Sequence, residues 1–448
     1  TVPTMTASTI AVIGSGISGL SAAWLLSRTR PVTLFERAAR PGGHANTVLA
    51  RTADGCVPVD MGFIVYNEKN YPNLTALFDR LGVETAPSSM SFAVSVAGGR
   101  MEYSGRHLAG LFGQRRNLVR PGHWQLVADI MRFFREARRQ VALCPPELSI
   151  ADFLRRFNYS RAFVEDHILP MSAAIWSTPS RGMLAFPART FIEFFANHAL
   201  LQVGNRPVWR TVRGGSRQYV SRLLAGGRIE TVTGAAIAGL HRHAAGVEIG
   251  FADGTSRRFD QVVLACHADQ ALGLIADATE TERNLLSAFR FTPNRAVLHT
   301  DKRFMPRRRH LWSSWNYLRG EGDEAAPSLT YWMNSLQPLP TRTDLFVTLN
   351  PHRDFAPGSV LHRVDYEHPL FDARAVAAQR ELWRIQGVDR LWFAGAWMGY
   401  GFHEDGLQAG LEVAERIGPA QRPWTVPDQR GRIARNWVEG DRELWAAQ

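Results

Sequence analysis

The chain has 448 residues, 45% of them hydrophobic, and a formal net charge of +11, which suits two domains or one large interleaved one with an ordinary capacity to build a core. No run of 18 apolar residues offers a membrane-spanning helix, and no basic segment followed by an apolar one marks a secretory signal. Cys56, Cys144 and Cys266 stand far apart without a C-x-x-C, which argues against a dithiol centre or a zinc cluster and, with their odd count, suits a reducing cytoplasm; no metal site is expected.

Met5 reads as the natural start, with Thr1 to Thr4 ahead of it. Ile10-Ala11-Val12-Ile13 then runs into Gly14-Ser15-Gly16-Ile17-Ser18-Gly19, a helical pattern follows over 20–26, and Val32-Thr33-Leu34-Phe35 ends in Glu36. Strand, glycine turn, helix and acid-tipped strand together predict a dinucleotide-binding unit. Gly14 allows the tight turn, Gly16 lets backbone approach a pyrophosphate, Gly19 lets helix and strand pack closely, and the helix N-terminus offers free N–H groups to phosphate. Glu36, 22 residues beyond Gly14, is placed to accept ribose hydroxyls.

Arg37 is followed by a short spacer and then Gly42-Gly43-His44. This sequel to Glu36 resembles the second signature of FAD enzymes of the monoamine oxidase and phytoene desaturase superfamily. There a glycine pair runs against the cofactor diphosphate and ribityl. Next, 57–65 reads as a strand ending in Asp60-Met61-Gly62-Phe63-Ile64; the resemblance implies that this D-x-G-like stretch reaches the flavin, whereas the residues alone also allow a plain strand end. A helix is predicted over 71–81, from Leu74, Leu77, Phe78 and Leu81 on one face, and a hairpin over 92–103 around Gly98-Gly99.

The stretch 107–140 interleaves Leu108, Leu111, Phe112, Leu118, Trp124, Phe133 and Phe134 with Arg115, Arg116, Arg120, Arg132, Arg135, Arg138 and Arg139, and Arg106 precedes it. Such a pattern fits a helix lying in a lipid headgroup layer, or a packed helix with a solvated basic face. Only Lys69 and Lys302 are lysines, so the net charge reflects either a coding bias towards arginine or attraction to an anionic surface. No nucleic-acid motif accompanies it, and no nucleic-acid partner is expected.

Residues 149–204 look helical and aromatic. Ser149 caps a helix over 150–157, Met171 to Ser177 is rich in small residues, and Phe191, Phe194 and Phe195 form either a pocket wall or a core helix. A turn at Gly214-Gly215-Ser216 precedes a helix, and short strands follow at 229–232, 236–240 and 247–251. The buried strand 259–266 ends in small residues that the resemblance brings close to adenosine diphosphate, together with Ile237 and Arg37. Strands are expected at 296–300, 329–333 and 345–349, among Trp312, Trp315, Tyr317, Tyr331 and Trp332, which line an apolar pocket or fill sheet core. Near the C-terminus a strand ends at Gly395-Ala396 and a helix begins around Gly406-Leu407, again aiming N–H groups at negative charge. Beyond 420 a surface tail is expected.

Taken together the chain resembles the amine oxidase superfamily of FAD enzymes over nearly its whole length, and more narrowly a bacterial group of NAD/FAD-binding flavoproteins. The motifs are 42–48 (Gly-Gly-His-Ala-Asn-Thr-Val), 59–67 (Val-Asp-Met-Gly-Phe-Ile-Val-Tyr-Asn), 175–179 (Ile-Trp-Ser-Thr-Pro), 209–216 (Trp-Arg-Thr-Val-Arg-Gly-Gly-Ser) and 399–407 (Gly-Tyr-Gly-Phe-His-Glu-Asp-Gly-Leu). The resemblance implies an α/β fold: a discontinuous Rossmann-like FAD-binding domain of the amine oxidase type (5–70, 205–270, 386–420) with an interleaved α+β substrate domain (71–204, 271–385) and a tail (421–448). That group is associated with cyclopropane fatty acid synthase-like methyltransferase genes, which implies acyl-lipid chemistry and a lipid methyltransferase of the same pathway as partner.

Departures from amine oxidases bear on the substrate. Their arginine after the glycine pair is His44 here, and their acid after the strand glycine is Ala396. No cysteine lies in 391–410 for a cysteinyl flavin, and of an amine cage only Trp397 and Tyr400 offer rings. Without a second G-x-G-x-x-G, electrons are expected from substrate, by hydride transfer to flavin N5, with non-covalent FAD. An amine oxidase or a flavin-dependent isomerase are the alternatives. His44, Tyr66, His403 and Glu404 are the polar groups expected to face the flavin, with a histidine suited to act as base. The protein is expected in the cytoplasm, at most peripheral on the inner membrane face.

Overall fold

The computed structural model describes residues 9–105, 108–176, 182–197, 207–320 and 327–433. In it the glycine-rich unit sits at the middle of a five-stranded parallel sheet, in the order Ile229–Thr233, Val32–Glu36, Ile10–Ile13, Gln261–Leu264, Leu391–Phe393. Its central strands are apolar on both faces because both are covered. On one side lies the helix Ile17–Leu26, all ten residues buried, with the helix His403–Ile417 against it. On the other lies the antiparallel sheet Ile237–His243, Gly246–Phe251, Ser256–Phe259, whose Phe251 and Phe259 pack on Phe35 at 5.6 and 5.8 Å.

A second, seven-stranded sheet has the order Val360–Leu370, Arg290–His299, Phe346–Leu349, Ser328–Trp332, Trp315–Arg319, Phe92–Val96, Met101–Ser104. It is antiparallel except where Trp315–Arg319 meets Phe92–Val96. The hairpin turns through Gly98 (φ 60°) and Gly99 (φ 87°), as its glycine pair predicts. Below this sheet the helices Pro121–Ala142, Ile150–Arg156 and Ala188–Asn197 share an aromatic core of Phe133, Phe153, Phe163, Phe191 and Phe195. Phe191 and Phe195 are thus core rather than pocket wall. The side chain of Phe194 lies outside the described residues, as do Arg106, His107, Ser177, Thr178 and Pro179.

One expectation needs correction. The helix expected from about Gly406 begins at His403, where the Asp405 carboxylate accepts from Phe402 N at 2.8 Å and caps it. Residues 421–433 form no helix or strand but are anchored to the fold. Arg422 is buried between Glu415 (2.8 Å) and Glu412 (3.6 Å), Trp424 stacks on Trp24, and Ile433 is buried; 434–448 lie outside the described residues. In the arginine-rich stretch, Leu111 and Phe133 are core, Arg132 is tied to Asp129 and the carbonyls of Phe157 and Asn158, and Arg120 donates to the Arg100 carbonyl. No helix among the described residues is long and apolar enough to cross a membrane.

His299 gives the second sheet a pH dependence. It is fully buried, accepts from Asp301 N at Nδ1 (3.1 Å) and meets Thr348 Oγ1 through Nε2 (2.7 Å), so its ring is held neutral and burial pushes its pKa down to about 3. Unfolded, the ring protonates near pH 6.5. Stability is therefore full above that pH and falls as pH drops from about 6.5 towards 3, by at most about 1.4 kcal/mol per pH unit from this residue. Urea unfolding at pH 7 and pH 5 should show that loss, and His299→Gln, less stable at pH 7, should show a flatter slope.

Candidate active site

The glycine turn is built by close backbone approach. Gly14 has φ +103°, and a Cβ on it would lie 2.6 Å from the Ala265 carbonyl oxygen. A Cβ on Gly19 would lie 1.8 Å from the Gly14 carbonyl oxygen, whereas one on Gly16 would meet nothing within 4 Å. Gly16 therefore opens on free space beside the first turn of the helix. Glu36 reaches back to this turn, accepting from Ser15 N (2.9 Å), Ser15 Oγ and Ala38 N (2.8 Å).

From that turn a cavity of about 850 Å³ runs between the two sheets. Gly14, Ser15, Gly16, Ile17, Ser18, Glu36, Arg37, Ile237, Gly395 and Ala396 line its first part. Gly43, His44, Gly62, Phe63, Ile64, Trp397 and His403 line its middle. The far part is walled by Phe92, Tyr103, Ile130, Met131, Phe134, Met171, Ile175, Trp315 and Tyr331. The sequence-predicted residues from three remote segments thus converge on one cavity.

Six of the predicted residues do not line it. Glu404 is fully buried elsewhere: its Oε1 accepts from Asn73 N (3.1 Å), Asn73 Nδ2 (2.8 Å) and Gln408 Nε2 (3.0 Å), and its Oε2 from Leu74 N (3.0 Å). It satisfies the free amides that start the helix Pro72–Leu81, so it is a helix-capping group and not a flavin-facing one. Tyr66 is packed edge-on to Phe78 at 5.3 Å in the core. Gly19 and Gly406 act by smallness; a Cβ on Gly406 would lie 2.8 Å from Ile17 Cγ2. Leu407 is fully buried in the core, and Gly42 shapes the turn by donating from its N to the Ser15 carbonyl at 3.1 Å. Tyr400 likewise lies off the cavity.

Sequence reasoning missed two histidines that the long strand Val360–Leu370 and the end of Gln261–Leu264 bring in. His368 and His267 line the cavity near His44; the His44 and His368 rings are 5.1 Å apart, and His267 stacks on Phe291 at 4.2 Å. His44 is stacked on Tyr366 at 4.7 Å, and Tyr366 is held by Asn46 Nδ2 at 2.9 Å. His403 stacks on Phe63 at 3.8 Å and meets the Tyr219 hydroxyl at 2.9 Å. Burial pushes all four imidazoles down, His44 far below its ordinary range, His368 to about 4 and His403 to about 3. They stand neutral at pH 7. His44 Nε2 and His368 Nδ1 are buried with no hydrogen-bond partner among the described residues.

These features fit FAD. The Gly16 backbone faces open space where a diphosphate would need it, Glu36 stands at the ribose end, and the orphaned His44 nitrogen lies at the middle, beside Gly43 and Gly62.

Residues 17–354 match the family model described as flavin containing amine oxidoreductase. No curated protein matches the chain. Solved structures similar to it include a CLA-producing fatty acid isomerase from P. acnes, at 16% identity and TM-score 0.65 over 92% of this chain and 98% of that one. Wild-type putrescine oxidase bound to putrescine is similar at 15% identity and TM-score 0.64, over 92% and 98%. Cyclohexylamine oxidase from Brevibacterium oxydans IH-35A is similar at 16% identity and TM-score 0.61, over 92% and 100%. At such identities the likeness is one of fold.

Two outcomes are expected for the cofactor. Glu36→Ala should weaken FAD binding by about 1.5–3 kcal/mol, the range for a hydrogen bond to a charged group, as read by fluorescence titration of apoprotein. Denaturation of the yellow protein should release free FAD; flavin remaining with the precipitated chain would instead mark a covalent link, with His44 and His403 the nearest candidates.

Proposed function

The chain belongs to the flavin containing amine oxidoreductase family and is a FAD-dependent oxidoreductase, and we propose that its substrate is an apolar acyl chain. FAD, when bound, supplies a two-electron acceptor for a hydride taken from a substrate C–H bond. The chain's own residues bind, orient and keep water out.

The observation that carries this reading is the absence of charged side chains from the far cavity wall among the described residues. Among the described residues that line the cavity, the acidic and basic side chains other than histidine are Glu36, Arg37 and Glu367, and the imidazoles are pushed towards the neutral form by burial. The first two sit at the glycine turn, and Glu367 is 3.5 Å from His267, just past the strand beside that turn. An ammonium group entering the far part would lose water and find no carboxylate, a cost of several kcal/mol. An acyl chain loses nothing there and gains about 0.8 kcal/mol per buried methylene. One buried donor on that wall, Trp315 Nε1, has no partner among the described residues and suits an uncharged acyl carbonyl oxygen. The fatty acid isomerase among the similar structures supports the same ligand class.

Desaturation of an acyl chain removes a hydride from one carbon and a proton from its neighbour. His44 Nε2, neutral, buried and unpartnered, is placed to accept that proton. Anaerobic mixing with a long-chain fatty acid should bleach the flavin, and an alkylamine should not. Bleaching by the amine alone would sink the reading. Conversion of the fatty acid without net bleaching would make the protein an isomerase. Trp315→Phe should raise KM several-fold, matching the loss of one hydrogen bond of about 0.5–1.5 kcal/mol.

A further inference from the structure

The helix Pro121–Ala142 connects the cavity to the surface. Ile130 and Phe134 line the cavity, and so does Met131 between them, which is 40% exposed. Cavity wall and outer surface therefore meet on one helical turn. Met131 belongs to an exposed stripe of that helix, Trp124, Ala128, Met131, Arg135, Arg138, spaced three or four residues apart.

Apolar groups crowd the start of that stripe. Val119 is 80% exposed and Leu118 and Trp124 each 51%. Trp124 is fixed there: its Nε1 donates to the Leu118 carbonyl at 2.9 Å, and Phe112 packs on its ring at 4.7 Å. An indole and two aliphatic side chains held in water at one place cost free energy that a partner would recover. Arginines flank the patch on both sides. Arg115 and Arg116 precede it and Arg138 and Arg139 follow it, all exposed and none with a partner among the described residues. The carboxylates of this helix are already engaged, Asp129 by Arg132 and Glu136 by Arg135. The face is apolar at its centre and cationic at its rim, with a tryptophan where a headgroup layer would meet acyl chains.

We propose that this face docks on an anionic lipid bilayer, so that the Met131 turn opens the cavity directly onto the acyl-chain layer. Its purpose rests on the acyl-chain reading above, but docking itself does not. An acyl substrate then passes from bilayer to flavin without crossing water. The arginines supply attraction at a distance, and Leu118, Val119 and Trp124 supply the inserted apolar area.

The test is flotation of the FAD-loaded protein with vesicles of phosphatidylcholine containing phosphatidylglycerol, beside pure phosphatidylcholine. Binding should require the anionic lipid and fall at least tenfold between low and high salt. It should fall at least tenfold in Arg115→Glu/Arg116→Glu and separately in Leu118→Asp/Val119→Asp, with flavin content unchanged; these positions lie outside the cavity. Wild type staying in the soluble fraction at low salt, or binding that ignores both double variants, overturns the proposal. So does capture by an acidic acyl-carrying protein with vesicles left unbound. Bleaching by detergent-dispersed fatty acid without vesicle binding sinks the docking and keeps the acyl reading; vesicle binding with no acyl-dependent bleaching does the reverse.

Discussion

Backbone approach too close for a β-carbon is the constraint on which the rest of this molecule depends. The helix Ile17–Leu26 touches the turn before it through Gly19 and the helix His403–Ile417 through Gly410, where a Cβ would lie 2.1 Å from the Ser18 carbonyl oxygen. A Cβ on Gly62 would lie 2.3 Å from the His44 carbonyl oxygen. These contacts aim the first helix's free amides at the cavity, carry His403 to its middle and press His44 against the loop that follows Asp60. Enlarging any of these glycines displaces backbone rather than a flexible side chain, which no rotamer change relieves.

The cavity separates two kinds of recognition. Its first part holds charge and backbone donors for a dinucleotide, and its far part holds rings and aliphatic groups. Between them lie imidazoles that burial keeps uncharged. A neutral ring with an unpartnered nitrogen can take up a proton without first giving one away, and in a dry site that protonation is resisted until a reaction supplies it.

Much of the first part was legible in the sequence, because local rules govern it. Gly14, Gly16, Gly19 and Glu36 declare a phosphate turn by spacing alone, and strands covered on both faces read as apolar runs such as Val262-Val263-Leu264. Elements specified by long-range contact were not legible. Val360–Leu370 is an edge strand in which His362, Arg363, Asp365 and Glu367 are exposed, so its alternation is broken by charge, as edge strands require. That is why His368 went unseen. Glu404 stands beside His403 in sequence, yet a helical step turns its carboxylate to residues 330 positions away. Arg422 looks like a surface arginine until Glu412 and Glu415 are placed around it.

The order of strands in the parallel sheet also sets a timetable for synthesis. Ile10–Ile13 and Val32–Glu36 leave the ribosome early, but their neighbour Gln261–Leu264 and the edge strand Leu391–Phe393 come from far downstream, and the covering helix His403–Ile417 later still. At roughly 5–20 residues per second, roughly 20–75 seconds separate the phosphate turn from the helix that buries its back. During that interval a ten-residue apolar helix has one face without its partner. The lining that Gly395, Ala396, Trp397 and His403 give the cavity is likewise completed only by the last quarter of the sequence.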